Sequence, residues 1–199
     1  VMSFDQGKMI ACGEGGMVLT NNKNYGNYVR QYSDHGHQNN PNLPRGRDNR
    51  IMPGFNYRMT ELQAAVGKVQ LSKLNFMIEE NKKRYLVLEK FLSKHFYIRN
   101  QLKLHSGSFD TFILSSNNIQ IREIILKVIK ESKFGTKNLP DSMEWHCSYF
   151  WEHALSKRDI YNSKKTYNLL QKQIAIPILI KRSITDYKNL ALNIIKRTS

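Results

Sequence analysis

Ser3-Phe4-Asp5-Gln6-Gly7-Lys8, continuing as Met9-Ile10-Ala11-Cys12-Gly13-Glu14-Gly15-Gly16-Met17-Val18-Leu19-Thr20, sets one lysine between a hydroxyl five residues upstream and a glycine-rich turn. Short apolar runs on either side of Gly13-Glu14-Gly15-Gly16 give the pattern of strand, tight turn and strand, a hairpin over residues 8 to 20. A lone lysine is ordinarily a surface charge. One that attacks a carbonyl must instead be held in a fixed, partly desolvated place, so that its amine is available near neutral pH. A rigid hairpin provides such a place, and the Ser3 hydroxyl is a donor suited to a phosphate.

Outward from this stretch, a helix is expected over residues 24 to 32, followed by a long loop from 33 to 55 rich in Asn, Pro, Gly and Arg. Thr60 with Gln63 three residues on makes a capping box, and Leu62, Ala65, Val66 and Val69 then fall on one helical face. A second, charged helix runs to about Lys94 on a stripe of Leu88, Phe91 and Leu92. Beyond Phe96 the pattern becomes α+β. Strands are expected at 97–99, 109–114, 133–136 and 174–179, and helices at 119–132, 163–171 and 185–196. A boundary is placed near 76 to 95, giving domains of residues 1–75 and 76–199.

The composition, 40% hydrophobic and 24% charged over 199 residues, excludes disordered, collagenous and disulfide-scaffold classes. The longest apolar run, Ile174 to Ile180, is seven residues long and broken by Pro177, against about 20 for a membrane span. Cys12 and Cys147 lie too far apart in sequence for a metal-ligand cluster, and no apolar leader opens the chain, so a cytoplasmic setting is expected. The net charge of +15 raises nucleic acid as a partner. The basic residues are spread along helix faces with no RNP, zinc-finger or basic-zipper pattern, which favours a solvated surface or the steering of an anionic substrate. A non-catalytic basic module stays open as a reading from another class.

The string Ser-Phe-x-x-x-Lys-x-Ile-x-x-Gly-Glu-Gly-Gly at Ser3 to Gly16 resembles the Schiff-base segment of the DegT/StrS-type sugar aminotransferases. Gly54-Phe55-Asn56-Tyr57-Arg58-Met59-Thr60-Glu61-Leu62-Gln63-Ala64-Ala65 is similar to that family's second signature. The resemblance implies an α/β protein: the C-terminal half of a fold type I transferase dependent on pyridoxal 5'-phosphate (PLP), comprising the end of the large PLP-binding domain and a small α+β domain. Family members are about twice this length, so the chain is expected to be a fragment that is inactive alone.

By the same resemblance, Lys8 is the catalytic lysine that bonds to PLP and shuttles the proton. Ser3 binds the cofactor phosphate, and Asn56 reaches the phosphate of the neighbouring subunit's cofactor in a homodimer with shared active sites. Arg58 is a carboxylate or interface partner, with a structural ion pair as the alternative. Glu14 faces substrate hydroxyls or caps backbone amides. His146 lies where the family often carries an active-site histidine, and a packing or surface role is equally open. His35, Arg45 and Arg47 belong to a loop that the family uses near its active-site mouth, where arginines suit an anionic sugar or merely pin the loop. The loop, the Asp-Gln-Gly-Lys spelling and Gly135-Thr136-Lys137-Asn138-Leu139-Pro140 look most like the branch that aminates position 8 of an octulosonate, with glutamate as donor, for cell-surface polysaccharide. Nucleotide-sugar aminotransferases are the alternative within the family. Its dehydratases replace the lysine with histidine, so position 8 separates the two.

Overall fold

The computed structural model describes residues 1–99, 107–116 and 118–199, and the chain divides into two compact units, Val1–Asn75 and Phe76–Ser199. In the first unit β1 (Met2–Ser3) pairs antiparallel with β2 (Gly16–Met17), Met2 opposite Met17. The hairpin arms are therefore not the expected runs beside Lys8. The Asp5 carboxylate accepts from the Gly7 N–H at 2.8 Å, and the Lys8 N–H donates to the Asp5 carbonyl at 2.9 Å. Those turn bonds satisfy the backbone locally and draw the lysine segment out of the ladder.

Helix α1 (Lys23–Tyr32) starts at Asn22, whose side chain accepts from the Asn24 and Tyr25 N–H groups. Helix α2 (Glu61–Ser72) starts on the expected capping box of Thr60 and Gln63. Neither helix has a buried residue. Among the described residues of this unit, Phe4 and Cys12 are the buried hydrophobics, whereas Leu62, Val66, Val69 and Leu71 of α2 are exposed.

The second unit has a core. Strands β3 (Tyr97–Ile98), β4 (Thr111–Ser115) and β5 (Gln173–Pro177) form an antiparallel sheet in that order, with Phe112 opposite Ile176 and Leu114 opposite Ile174. Alternation along β4 buries Phe112 and Leu114. They meet Tyr85, Leu88 and Leu92 of α3 (Leu74–Leu92), Ile125 and Ile129 of α4 (Ile119–Glu131), and Tyr187, Leu190 and Ile194 of α8 (Ile184–Thr198).

Arg84 is buried in this unit, and its guanidinium makes four hydrogen bonds. Nε donates to the Arg182 carbonyl at 2.9 Å, Nη2 to the Ile180 carbonyl at 2.9 Å, and Nη1 to the Glu80 carbonyl and carboxylate at 2.7 and 2.8 Å. It ties α3 to the segment that follows β5.

One further expectation is corrected here and another is extended. Residues 133–136 are not a strand: the Lys133 N–H donates to the Lys130 carbonyl and the Phe134 N–H to the Ile129 carbonyl, with Lys133 at φ 57°. This pair of bonds closes α4 as a Schellman turn, and Phe134 is buried by it. The helix expected at 163–171 is α7 (Lys164–Leu170), preceded by α5 (Met143–His146) and α6 (Lys157–Asn162), which were not anticipated.

Candidate active site

Lys8 is exposed in a closed loop. The Phe4 N–H donates to the Gly15 carbonyl at 2.9 Å, and the Phe4 carbonyl accepts from the Cys12 N–H at 3.0 Å, so buried Phe4 fastens both ends of the loop. Asp5 shapes the backbone just before the lysine. Among the described residues the Lys8 amine enters no ion pair or side-chain hydrogen bond. Ser3 stands at the stem, exposed, with its hydroxyl 3.4 Å from the Asp5 N–H.

The glycine turn is anchored by a residue whose role had been read as local. Gln63 caps α2 through its carbonyl oxygen, and its Nε2 also donates to the Glu14 carbonyl at 2.8 Å. The buried Cys12 thiol lies 3.4 Å from the same carbonyl. Glu14 thus serves through its backbone, and its side chain is left exposed. The capping box was visible in sequence, but nothing there revealed that the same glutamine reaches back to the turn.

The loop from 33 to 55 is tightly built. Asp34 and Asn56 form an antiparallel bridge, as do His37 and Arg50. The His35 N–H donates to the Phe55 carbonyl at 3.0 Å, the Phe55 N–H to the Tyr32 carbonyl at 2.8 Å, and the Tyr57 N–H to the Ser33 carbonyl at 2.9 Å. These bonds fix the backbone on both sides of Asn56, whose side chain is exposed. The close approach depends on glycine. A Cβ on Gly54 would lie 2.3 Å from the Gly36 nitrogen, and one on Gly36 would lie 2.0 Å from the Met52 carbonyl oxygen. The rings of Tyr32 and Phe55 pack edge to face at 5.5 Å, and Phe55 stacks on Tyr57 at 5.3 Å.

Two of the three arginines expected to meet an anion, Arg45 and Arg58, converge instead on a carboxylate of the chain itself. Arg58 donates to Asp34 Oδ1 at 2.6 Å, and Arg45 donates to the same oxygen. Burial pushes the Asp34 carboxyl up, but the Arg58 hydrogen bond and the positive charges of Arg45, Arg58 and His37 outweigh it and hold the group below its ordinary value. Two guanidiniums on one carboxylate leave a net positive charge, and both arginines are about half exposed. Arg47 lies in a short 3₁₀ turn and has no ion pair among the described residues. His35, at φ 56°, is exposed beside His37, their ring centroids 6.3 Å apart. His37 itself pairs with buried Asp48 at 2.8 Å, and the Asn39 N–H donates to the other Asp48 oxygen at 3.0 Å. Asp34 and Asp48, the anchors of the loop, were not singled out from sequence. Their side-chain partners lie 11 and 24 residues away, so no local pattern announces them.

His146 lies in the second unit, exposed at the end of α5, with no side-chain hydrogen bond among the described residues. Those residues also hold no group of three side chains suited to a metal ion, and no helix long and apolar enough to cross a membrane.

The model of the DegT/DnrJ/EryC1/StrS aminotransferase family matches residues 1–188. Among solved structures, the chain is similar to the sugar aminotransferase CalS13 from Micromonospora echinospora, with a TM-score of 0.76 at 12% identity over 98% of this chain and 50% of that one. It is also similar to PseC of Helicobacter pylori, an aminotransferase of pseudoaminic acid biosynthesis, at TM-score 0.71 and 16% identity over 98% and 51%. A third match is a putative sugar aminotransferase from Streptococcus pneumoniae in its PLP form, at TM-score 0.69 and 15% identity over 96% and 51%. At these identities the likeness is one of fold, and the chain spans about half the length of each structure.

Proposed function

The chain belongs to the DegT/DnrJ/EryC1/StrS aminotransferase family, and on that footing we propose that it supplies the lysine-bearing part of a site that transfers an amino group to a keto or aldehyde sugar. The carrying observation is the Lys8 amine, exposed and unpaired among the described residues, on a loop closed by Phe4 and shaped by Asp5. The family's enzymes depend on PLP, and the donors present suit it: a primary amine for its aldehyde, the Ser3 hydroxyl for its phosphate, and the Asn56 carboxamide for a phosphate across a homodimer interface. When bound, PLP supplies the electron sink that makes the carbon bearing the amino group acidic.

Lys8 Nζ would be the base that takes up that proton and gives it back, work that suits an amine on a backbone held in place. Asp5 and Phe4 hold the backbone that carries this amine. Gln63 steadies the opposite side of the loop through the Glu14 carbonyl, leaving the Glu14 carboxylate to accept from substrate hydroxyls. Arg47, His35 and the net positive charge left around Asp34 favour an anionic sugar, with Arg45 and Arg58 contributing charge while they pin the loop. The specific substrate we propose is an 8-oxo-3,8-dideoxy-octulosonate, with glutamate as amino donor, in cell-surface polysaccharide synthesis. Lysine in place of histidine at position 8 favours the transaminase over the dehydratase reading.

The test is turnover by the protein carrying this chain, supplied with glutamate and the 8-oxo sugar acid. Lys8→Ala is expected to abolish it and Asn56→Ala to weaken cofactor retention. Because the site is proposed to be shared, a mixture of the two variants restores part of the activity once subunits exchange, since one heterodimer site then carries neither lesion. Retained turnover in Lys8→Ala overturns the proposal.

A further inference from the structure

The sequence contains two tryptophans, and the fold brings both to one place. Trp145, in α5, and Trp151, just beyond it, line a cleft of about 320 Å³ together with Glu144, His153 and Ala154. Trp145 is 78% exposed, an unusual position for the largest apolar side chain. The indole N–H of Trp151 donates to the Trp145 carbonyl at 3.1 Å. With its polar atom used in this way, what Trp151 offers the cleft is apolar surface.

The cleft has a firm footing. Cys147, at the end of α5, is buried, and its N–H donates to the Met143 carbonyl at 2.8 Å. The Ala154 and Leu155 N–H groups both return to the Trp151 carbonyl, at 3.0 and 2.9 Å. Between the tryptophans, Tyr149 stacks on Tyr167 of α7 at 4.5 Å, Phe150 meets the same ring edge to face, and the Ser148 and Ser163 hydroxyls lie 2.7 Å apart. The segment is thus pinned to α7, while Trp145 stays open and Trp151 is half-buried.

We infer that this cleft binds the ring of a sugar, its C–H face against indole and its hydroxyls against the Glu144 carboxylate and the His153 imidazole. A pyranose has an apolar face and a polar edge, and the lining residues divide in the same way. The volume falls at the lower end of small-molecule sites, about 300–1,000 Å³, which suits a single ring. Among the described residues no lysine or arginine lines the cleft, and Glu144 does, so a nucleotide or sugar phosphate group is poorly matched there. An acyl chain would have no use for the carboxylate and imidazole. His146 does not line the cleft, so this assignment is separate from the role proposed for that histidine. The inference rests on the sugar substrate class proposed above and deepens it by naming residues of the second unit that would recognise such a ring.

Because both tryptophans line the cleft, the intrinsic emission of the 199-residue chain reports on it directly. The titration uses 3-deoxy-manno-octulosonate, mannose and galactose up to about 50 mM, with sorbitol as an open-chain polyol and uridine diphosphate as a nucleotide that has no pyranose ring. A saturable emission change with at least one cyclic sugar, and none with sorbitol or uridine diphosphate, is the expected result. Trp145→Ala, read through the remaining Trp151, weakens that response at least tenfold, and Glu144→Gln weakens it severalfold, both with an unchanged circular dichroism spectrum. No saturable response to any cyclic sugar, or an equal response to uridine diphosphate, overturns the cleft. Lys8→Ala is expected to leave the response intact. If Lys8→Ala keeps turnover while the sugar response persists, the proposed reaction fails and the cleft stands. If turnover needs Lys8 but no sugar moves the emission, the cleft fails and the reaction stands.

Discussion

Gly54→Ala tests the geometry that holds the site's second signature. The added methyl would sit 2.3 Å from the Gly36 nitrogen and 2.8 Å from the Tyr32 carbonyl oxygen, both of them backbone atoms that no side-chain rotation can move. The segments must part, and the three bonds that join them are those from His35, Phe55 and Tyr57. At about 1 kcal/mol net each, the local loss is about 3 kcal/mol. Hydrogen exchange reads it directly. A local opening made easier by that amount lowers protection roughly a hundredfold, and the expected loss is confined to these amides and their neighbours on either side of Asn56. Gly46→Ala is the control, since a Cβ there meets nothing within 4 Å. Unchanged protection in Gly54→Ala, or no protection of these amides in the unsubstituted chain, would refute the pairing.

Arg84→Met removes all four bonds of a buried guanidinium, leaving two carbonyls at the far end of the network without their donor, and should cost about 3–5 kcal/mol in urea unfolding; a loss below about 1 kcal/mol would show that water replaces the guanidinium freely. The Asp34 and Asp48 carboxyls are both held below their ordinary value, for Asp48 first by the His37 hydrogen bond. A carboxyl depressed in the folded state stabilises it above about pH 3.9, the unfolded value, and that stability is lost as pH falls through the lower folded value. Exchange protection in residues 33–57 should therefore hold from pH 7 to 5 and fail below about pH 4, and Asp34→Asn and Asp48→Asn should flatten the dependence; an unaltered profile in the double variant contradicts it. Limited proteolysis of the 199-residue chain should cut within residues 1–75 first and leave 76–199, because the buried hydrophobics concentrate in the second unit. Equal survival of both units would show that exposed residues such as Leu62 and Val69 cost the first unit little.

The readable parts of the fold were those coded by local chemistry. Thr60 and Gln63 announce α2 because a capping box needs residues three apart, and the apolar stripe of α3 marks its buried face through Leu88 and Leu92. The strand at 174–177 stood out because a sheet strand buried on both faces is an unbroken apolar run. The errors came where a turn overrode a pattern. Asp5 folds the chain before Lys8 although Met9-Ile10-Ala11 read as a strand, and Lys133 in the left-handed region ends α4 where Phe134 suggested another. Lys8 could be singled out from its neighbours in sequence. Gln63 on Glu14, 49 residues apart, and Arg58 on Asp34, 24 apart, could not, because those contacts exist only once the fold is formed. The tryptophan cleft was hidden for a different reason: α5 is four residues long and leaves almost no periodic trace.

The central claim is that Lys8 carries the reacting amine. Borohydride reduction of the protein carrying this chain in the presence of PLP, followed by peptide mapping, tests it most directly. The expected result is a single reduced pyridoxyl adduct on Lys8, in the peptide that runs from the Ser3 stem to the glycine turn, and its disappearance in Lys8→Ala. An adduct on another lysine, or one that survives in Lys8→Ala, would contradict the assignment.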